Sequence, residues 1–204
     1  MTTVNKEEKF IYIHIPKCAG SSIERVDWLG GAGHVTYKHL QNKLNMKEYF
    51  VFTSIRNPFD RFVSAYFHFV QYPLKKNESQ ADQDCYTYIK NHHAKYKDSL
   101  RKGFPEFLDG FPNKLFKINH FKPQRFFIEN KNGNVNLDYI MRVDSLQKDF
   151  DVVCDKLGKS RLELPHNKKS NHLPFIQYYT PELLVKLDKM YKLDIELYTS
   201  IKGS

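Results

Sequence analysis

The chain is short of the features that mark most specialised protein classes. Among its 204 residues no stretch comes near the ~20 consecutive apolar residues of a membrane-spanning helix. The opening MTTVNKEEKF holds no apolar segment of a secretory signal. Cysteine is scarce: Cys18, Cys85 and Cys154 form an odd count at irregular spacing. That suggests free thiols in a reducing compartment, not a disulfide framework, so a cytoplasmic location is expected. No repeat, low-complexity tract or Gly/Ser linker divides the chain, and a single domain over residues 1–204 is expected, large enough to bury a core. Tryptophan occurs once against 16 Phe and 13 Tyr, so the apolar bulk rests on those rings. Acidic residues also run short, with 23 Asp and Glu against 32 Lys and Arg and a formal net charge of +9. Such a balance steers towards anionic partners, whether nucleic acid, nucleotide or acidic polysaccharide, without choosing among them.

The patterns that are present alternate between two periods. FIYIHI, Phe10 to Ile15, is a β-branched and aromatic run stopped by Pro16, and reads as a buried strand. A short helix is expected from Ser22 to Leu29, closed by Gly30-Gly31. YFVFTSI, Tyr49 to Ile55, is a second strand, and Pro58 suits the first turn of a helix to about Val70, with Phe62, Ala65, Tyr66 and Phe69 at helical spacing. Residues 73–103 are polar, at best an exposed helix, and read as an insertion or lid. RFFI, Arg125 to Ile128, and YIMRV, Tyr139 to Val143, are expected as short strands, Leu146 to Leu157 as a helix, and Pro181 to Tyr198 as a closing helix. The alternation predicts an α/β layered fold around a largely parallel sheet flanked by helices.

The segment HIPKCAGSSI follows the first strand, where a phosphate-binding loop belongs. Ala19, Gly20, Ser21 and Ser22 are small enough for backbone N–H groups to approach an anion at a helix start, and Lys17 adds a mobile positive charge. The triphosphate-binding device GxxxxGK[ST] sets its lysine beside the hydroxyl residue, whereas Lys17 opens the loop here, so an ATPase or kinase is disfavoured. After the second strand comes FTSIRNPFDRFVSAYFHF, with Arg56 able to fork onto a phosphate and Ser64, eight residues on, able to donate to the same group. Taken alone, Lys17 is equally a solvated loop lysine, and Arg56 equally a helix-entry partner of Asp60.

Together, in order and each after a strand, the two segments resemble the 5′-phosphosulfate loop and the 3′-phosphate segment of sulfotransferases that use 3′-phosphoadenosine 5′-phosphosulfate (PAPS). The resemblance implies a P-loop-like three-layer fold, with Lys17, Cys18, Ala19, Gly20, Ser21 and Ser22 around the 5′-phosphate and Arg56 with Ser64 on the 3′-phosphate. Between them GGAGHVTYKHL resembles the GHVSY segment of the heparan sulfate 2-O-sulfotransferase branch, which implies His34 as the base that deprotonates an acceptor hydroxyl on a glycan. Ala32 stands where that segment carries a second histidine, leaving His34 alone in the role. Histidine suits it, with an unperturbed pKa of about 6.5 near working pH. A plain loop histidine remains the structural alternative, and Glu24 and Asp60 are fallback bases.

HFKPQRFFI, DYIMRVDSLQKDFDVVCDKLG, LPHNKKSN and YKLDIELY resemble closing segments of the same branch. This implies that Lys168, Lys169 and Ser170 fold over the nucleotide, although a solvated basic turn explains them as well. His120 and Gln124 in HFKPQ could face the acceptor, or equally pin the loop before the strand expected at RFFI. His92-His93 with Cys85 lacks zinc-ligand spacing, and no metal is expected. The competing class is a non-enzymatic basic module binding nucleic acid or another polyanion. It is disfavoured because no nucleic-acid motif is present and the positive charge is spread along the chain.

Overall fold

The computed structural model describes residues 1–31, 33–71, 80–94, 100–111, 113–165 and 173–201. They fall into two compact units that interleave along the chain. The first comprises Met1–Asn57, Pro123–Lys169 and Glu196–Ser204, the second Pro58–Lys122 and Ser170–Ile195.

The first unit is built on a four-stranded sheet of β1 (Thr3–Asn5), β2 (Phe10–Ile13), β3 (Phe50–Ile55) and β4 (Tyr139–Arg142), in that spatial order. β1 pairs antiparallel with β2, whereas β2, β3 and β4 run parallel, with Phe10 opposite Phe50 and Phe52 opposite Tyr139. The largely parallel sheet is therefore present. β1 itself has no sequence counterpart among the expected strands, because three residues with two threonine or asparagine side chains carry no apolar run. A turn closed by Asn5 makes it possible, since Asn5 Oδ1 accepts the Glu7 and Glu8 N–H groups.

Both faces of this sheet are covered, which is why its strands read as continuous apolar runs. Side chains alternate along the strands. Ile11, Ile13, Val51 and Ile55 face one way, against Tyr37 and Leu40 of α2 (Tyr37–Gln41) and Phe127 and Ile128 of α6 (Arg125–Ile128). Phe10, Tyr12, Phe52 and Met141 face the other way, against Phe150, Val153 and Cys154 of α7 (Leu146–Lys156). Trp28 stacks on Phe150 on this side at 5.8 Å between centroids. RFFI is thus a helical turn, not the expected strand. Phe126 is 40% exposed while Phe127 and Ile128 are fully buried, a pattern that breaks strand alternation, and the Phe127 N–H bonds back to the Gln124 carbonyl. The helix expected over Ser22–Leu29 is shorter, namely α1 (Gly20–Ile23) followed by a separate 3-10 turn over Asp27–Leu29.

The second unit is helical: α3 (Pro58–Gln71), α4 (Gln80–Ala94), α5 (Leu100–Asp109) and α8 (Pro181–Met190). Here the abundant Phe and Tyr are spent. Phe62 of α3 lies within 5.2–6.1 Å, ring to ring, of Phe104, Phe107, Phe111, Phe121 and Tyr191. Within the stretch expected as an insertion, Cys85 and Ile89 of α4 are fully buried in this core, and residues 72–79 and 95–99 lie outside the described residues. The closing helix is two helices, α8 and α9 (Lys192–Ser200), broken at Tyr191, whose buried hydroxyl donates to the Phe121 carbonyl. Thr180 caps α8 through the Leu183 N–H, with Pro181 at its first turn. No helix among the described residues is long and apolar enough to cross a membrane.

Candidate functional site

β2 ends at Ile13, and His14, Ile15 and Pro16 continue buried into the loop. Lys17 and Ala19 then adopt left-handed backbone conformations, with φ of 70° and 61°. Each costs a non-glycine residue roughly 1–2 kcal/mol, and such strain persists where the surroundings impose it. Alternating residues of this kind turn successive N–H groups towards a common side and form a concavity suited to an anion. Ala19 precedes α1 without a side-chain cap, and its carbonyl receives the Ser22 N–H at 3.0 Å. Ser21 is half-buried and Ser22 buried. From below, Ser54 of β3 donates its hydroxyl to the Cys18 carbonyl at 2.6 Å and is itself 3.1 Å from the Tyr12 hydroxyl. Burial pushes the Tyr12 phenol well above its ordinary range, so it stays a neutral partner in this chain.

Gly20 is small for a reason the motif does not suggest. A Cβ there would sit 2.1 Å from His14 Nε2, so the space beside Gly20 is filled by the His14 ring. His14 is 8% exposed, and its pKa is pushed down to about 2, first by burial and then by the N-terminal ammonium, His34 and Lys17. Glu24 Oε1 lies 3.2 Å from His14 Nδ1 without the alignment of a hydrogen bond, and Glu24 also pairs with the N-terminal ammonium. His34 is half-buried, and its ring centroid is 4.7 Å from that of His14. The residue implied as base thus packs against a neutral imidazole whose edge meets the loop at Gly20. Nothing in the sequence singled out His14, since a lone histidine at a strand exit has no pattern of its own.

Arg56 stands just past β3. Its guanidinium Nη1 donates to the Lys17 carbonyl at 3.3 Å, joining the two anion-suited segments. Its backbone is held by Gln124: the Arg56 N–H donates to Gln124 Oε1 and Gln124 Nε2 donates to the Arg56 carbonyl, both at 2.9 Å. The Cys18 thiol donates to the same Oε1 at 3.1 Å. Gln124, 1% exposed, is a pin, though of Arg56 and Cys18 and not of the loop that leads into residues 125–128 as the sequence suggested.

Lys17, Cys18, Ala19, Gly20, Ser21, Ser22, His34, Arg56 and Glu24 all belong to the first unit, whereas Ser64 and Asp60 belong to α3 of the second. Ser64 is 1% exposed. His120 is also in the second unit, stacked on His68 at 4.8 Å. Lys168, Lys169 and Ser170, and the side chains of His92 and His93, lie outside the described residues. Among the described residues no group of three or more His, Cys, Asp or Glu side chains is arranged to hold a metal ion, and all three cysteines are free and buried. The donor set around the loop, a lysine, a guanidinium, two hydroxyls and backbone N–H groups, fits a phosphorylated ligand. In comparisons with known proteins, the model described as the sulfotransferase family matches residues 1–199. No curated protein matches, and no solved structure does.

Proposed function

The chain belongs to the sulfotransferase family, and from that premise we propose that it moves the sulfuryl group of PAPS to a hydroxyl of a carbohydrate acceptor, as a single domain of P-loop-like, three-layer build. The observation that carries this reading is the bond from the Arg56 guanidinium to the Lys17 carbonyl, which ties a left-handed loop after β2 to a cation after β3. A nucleotide with phosphates at both its 3′ and 5′ positions needs two such cationic sites.

In this reading N–H groups of the loop other than those of Cys18 and Ser22, which bond to the Ile15 and Ala19 carbonyls, hold the 5′-phosphate with the Ser21 and Ser22 hydroxyls, and Arg56 with Ser64 holds the 3′-phosphate. The sequence resemblance assigns Lys168, Lys169 and Ser170 to the nucleotide as well. When bound, PAPS supplies a sulfuryl group whose bond to the phosphate oxygen breaks as the acceptor oxygen bonds to sulfur. His34 takes the acceptor proton, and the neutral His14 ring beside it supports its orientation. Lys17 neutralises charge that develops on the departing phosphate. Such catalysis is positioning plus electrostatics, as in phosphoryl transfer. The net charge of +9 suits an acidic glycan as acceptor.

The test is calorimetry with 3′,5′-bisphosphoadenosine and 5′-AMP. Losing the contacts to the 3′-phosphate is expected to cost about 1.5–3 kcal/mol, roughly tenfold to over a hundredfold in affinity. Equal affinities would remove the cofactor assignment. A panel of oligosaccharides, lipids and small alcohols with labelled PAPS then tests the acceptor, and label entering only lipids or small alcohols would remove the glycan.

A further inference from the structure

We propose that Gln124 is a positioning residue, whose single carboxamide locks the loop at Lys17–Ser22 to the strand exit at Arg56 and so fixes the spacing of the two phosphate sites. Its consequence for nucleotide binding rests on the reading above; its mechanical role rests on geometry alone.

Gln124 immediately precedes α6 with a helical backbone, φ −62° and ψ −38°, yet its side chain makes no capping bond to that helix. It points instead to Arg56, where Oε1 accepts the N–H and Nε2 donates to the carbonyl, each at 2.9 Å. This reproduces the pair of bonds that a neighbouring strand would make, at the residue where β3 has left its ladder. The assignment of oxygen and nitrogen is fixed by those partners, because the reverse orientation would set donor against donor and acceptor against acceptor. The same Oε1 also receives the Cys18 thiol at 3.1 Å. Cys18 lies between the two left-handed residues Lys17 and Ala19, so the bond acts at the strained centre of the loop. Both Gln124 and Cys18 are buried, at 1% and 0% exposure, and water cannot replace either contact without opening the site.

The Arg56 guanidinium approaches the loop by a separate route, through the Lys17 carbonyl. Without Gln124 the loop would stay tied to β3 through the Ser54 hydroxyl on the Cys18 carbonyl and to Arg56 through the Lys17 carbonyl, but the Arg56 backbone would lose the carboxamide that holds it in register with Cys18. The spacing of the two cationic sites would then vary, and a doubly phosphorylated nucleotide would lose the benefit of a preformed site.

The experiment compares wild type with Gln124→Ala, and with Gln124→Glu as a near-isosteric variant that keeps an acceptor but loses the donor to the Arg56 carbonyl. The first readout is the rate at which each thiol is alkylated by iodoacetamide, resolved by peptide mass spectrometry in the absence of nucleotide. Cys18 is expected to react about tenfold faster or more in the variants, while buried Cys85 and Cys154 stay as slow as in wild type. The second readout is calorimetry with 3′,5′-bisphosphoadenosine, expected to weaken about tenfold or more, with saturating nucleotide restoring the protection of Cys18. An unchanged Cys18 rate in both variants, or equal acceleration at all three thiols, would overturn the proposal, the latter showing general support of the fold. If wild type itself fails to bind the nucleotide, the cofactor reading falls, and the alkylation pattern still decides whether Gln124 holds the loop.

Discussion

At the scale of single residues, the proposed roles separate binding from chemistry. Lys17 acts on charge that develops only during transfer, so its loss should hurt the transition state more than the ground state. Lys17→Ala is expected to keep measurable affinity for 3′,5′-bisphosphoadenosine while the transfer rate falls by about 10²–10³, the usual loss for one preorganised charge stabiliser. His34→Ala should leave nucleotide affinity nearly intact and lower the rate by about 10²–10⁴. Arg56→Ala should weaken nucleotide binding first. Isothermal titration beside single-turnover kinetics checks all three, and a His34→Ala enzyme transferring at the wild-type rate from pH 6 to 8 would hand the base to Glu24 or Asp60. Lys17 and Arg56 stood out by their charge and their place after a strand, whereas His34 was reached only through the resemblance of its segment. Gln124 was legible only as a choice between two roles, and His14 not at all. What defines both is a contact across the fold, the carboxamide on Arg56 and the imidazole in the space beside Gly20, and no local pattern encodes either.

At the scale of elements, the sequence was readable wherever one period ran long enough. The strands at Phe10 and Phe50, α3, α7 and the start of α8 lie where apolar spacing and Pro58 put them. It failed at short elements. RFFI has strand composition but only four residues, and Pro123 with Gln124 starts a helical turn before any ladder can form. β4 is equally short, and beside its pairing with β3 it is anchored by a buried carboxylate. Asp149 of α7, 2% exposed, accepts the Arg142 N–H and the Ser145 hydroxyl, both at 2.7 Å, and the Tyr139 hydroxyl at 3.2 Å. One side chain thereby ties both ends of β4 to the helix that covers it. Asp149→Ala would leave several donors without their acceptor and is expected to cost about 3 kcal/mol or more, since bonds to a charged acceptor contribute about 1.5–3 kcal/mol each. Asp149→Asn, which keeps one oxygen, should lose clearly less. Urea unfolding of the two variants checks this, and a loss under about 1 kcal/mol for alanine would mean that β4 is held by its pairing with β3 alone.

For the whole molecule, a telling property is that the sheet unit keeps a buried histidine neutral at the exit of β2. His14 is held at a pKa of about 2 by burial first, then by the N-terminal ammonium, His34 and Lys17. In the unfolded chain the same group titrates near 6.5. Above that value neither state carries the proton and His14 adds no pH dependence. Below it the unfolded chain binds a proton that the native state refuses, so stability falls as pH falls, by about 1.4 kcal/mol per unit, across the window from about 6.5 down to about 2. Between pH 7 and pH 5 this one site is expected to remove about 2 kcal/mol, a large share of an ordinary folding free energy. The carboxylates held low, at Glu48, Asp144, Asp155 and Glu182, act in a separate window, because their ordinary values are 4.5 or 3.8 and their stabilisation is lost only as pH drops past those. The difference between wild type and His14→Gln isolates the histidine from the other eight. Trp28, the single tryptophan, stacks on Phe150 within the same unit as His14, so its fluorescence follows the unfolding of that unit. Urea titrations at pH 7, 6 and 5 should show wild type losing about 2 kcal/mol more than His14→Gln over that range. Parallel losses in the two proteins would mean that His14 accepts its proton without opening the unit, with the Glu24 carboxylate 3.2 Å away as the counter-charge.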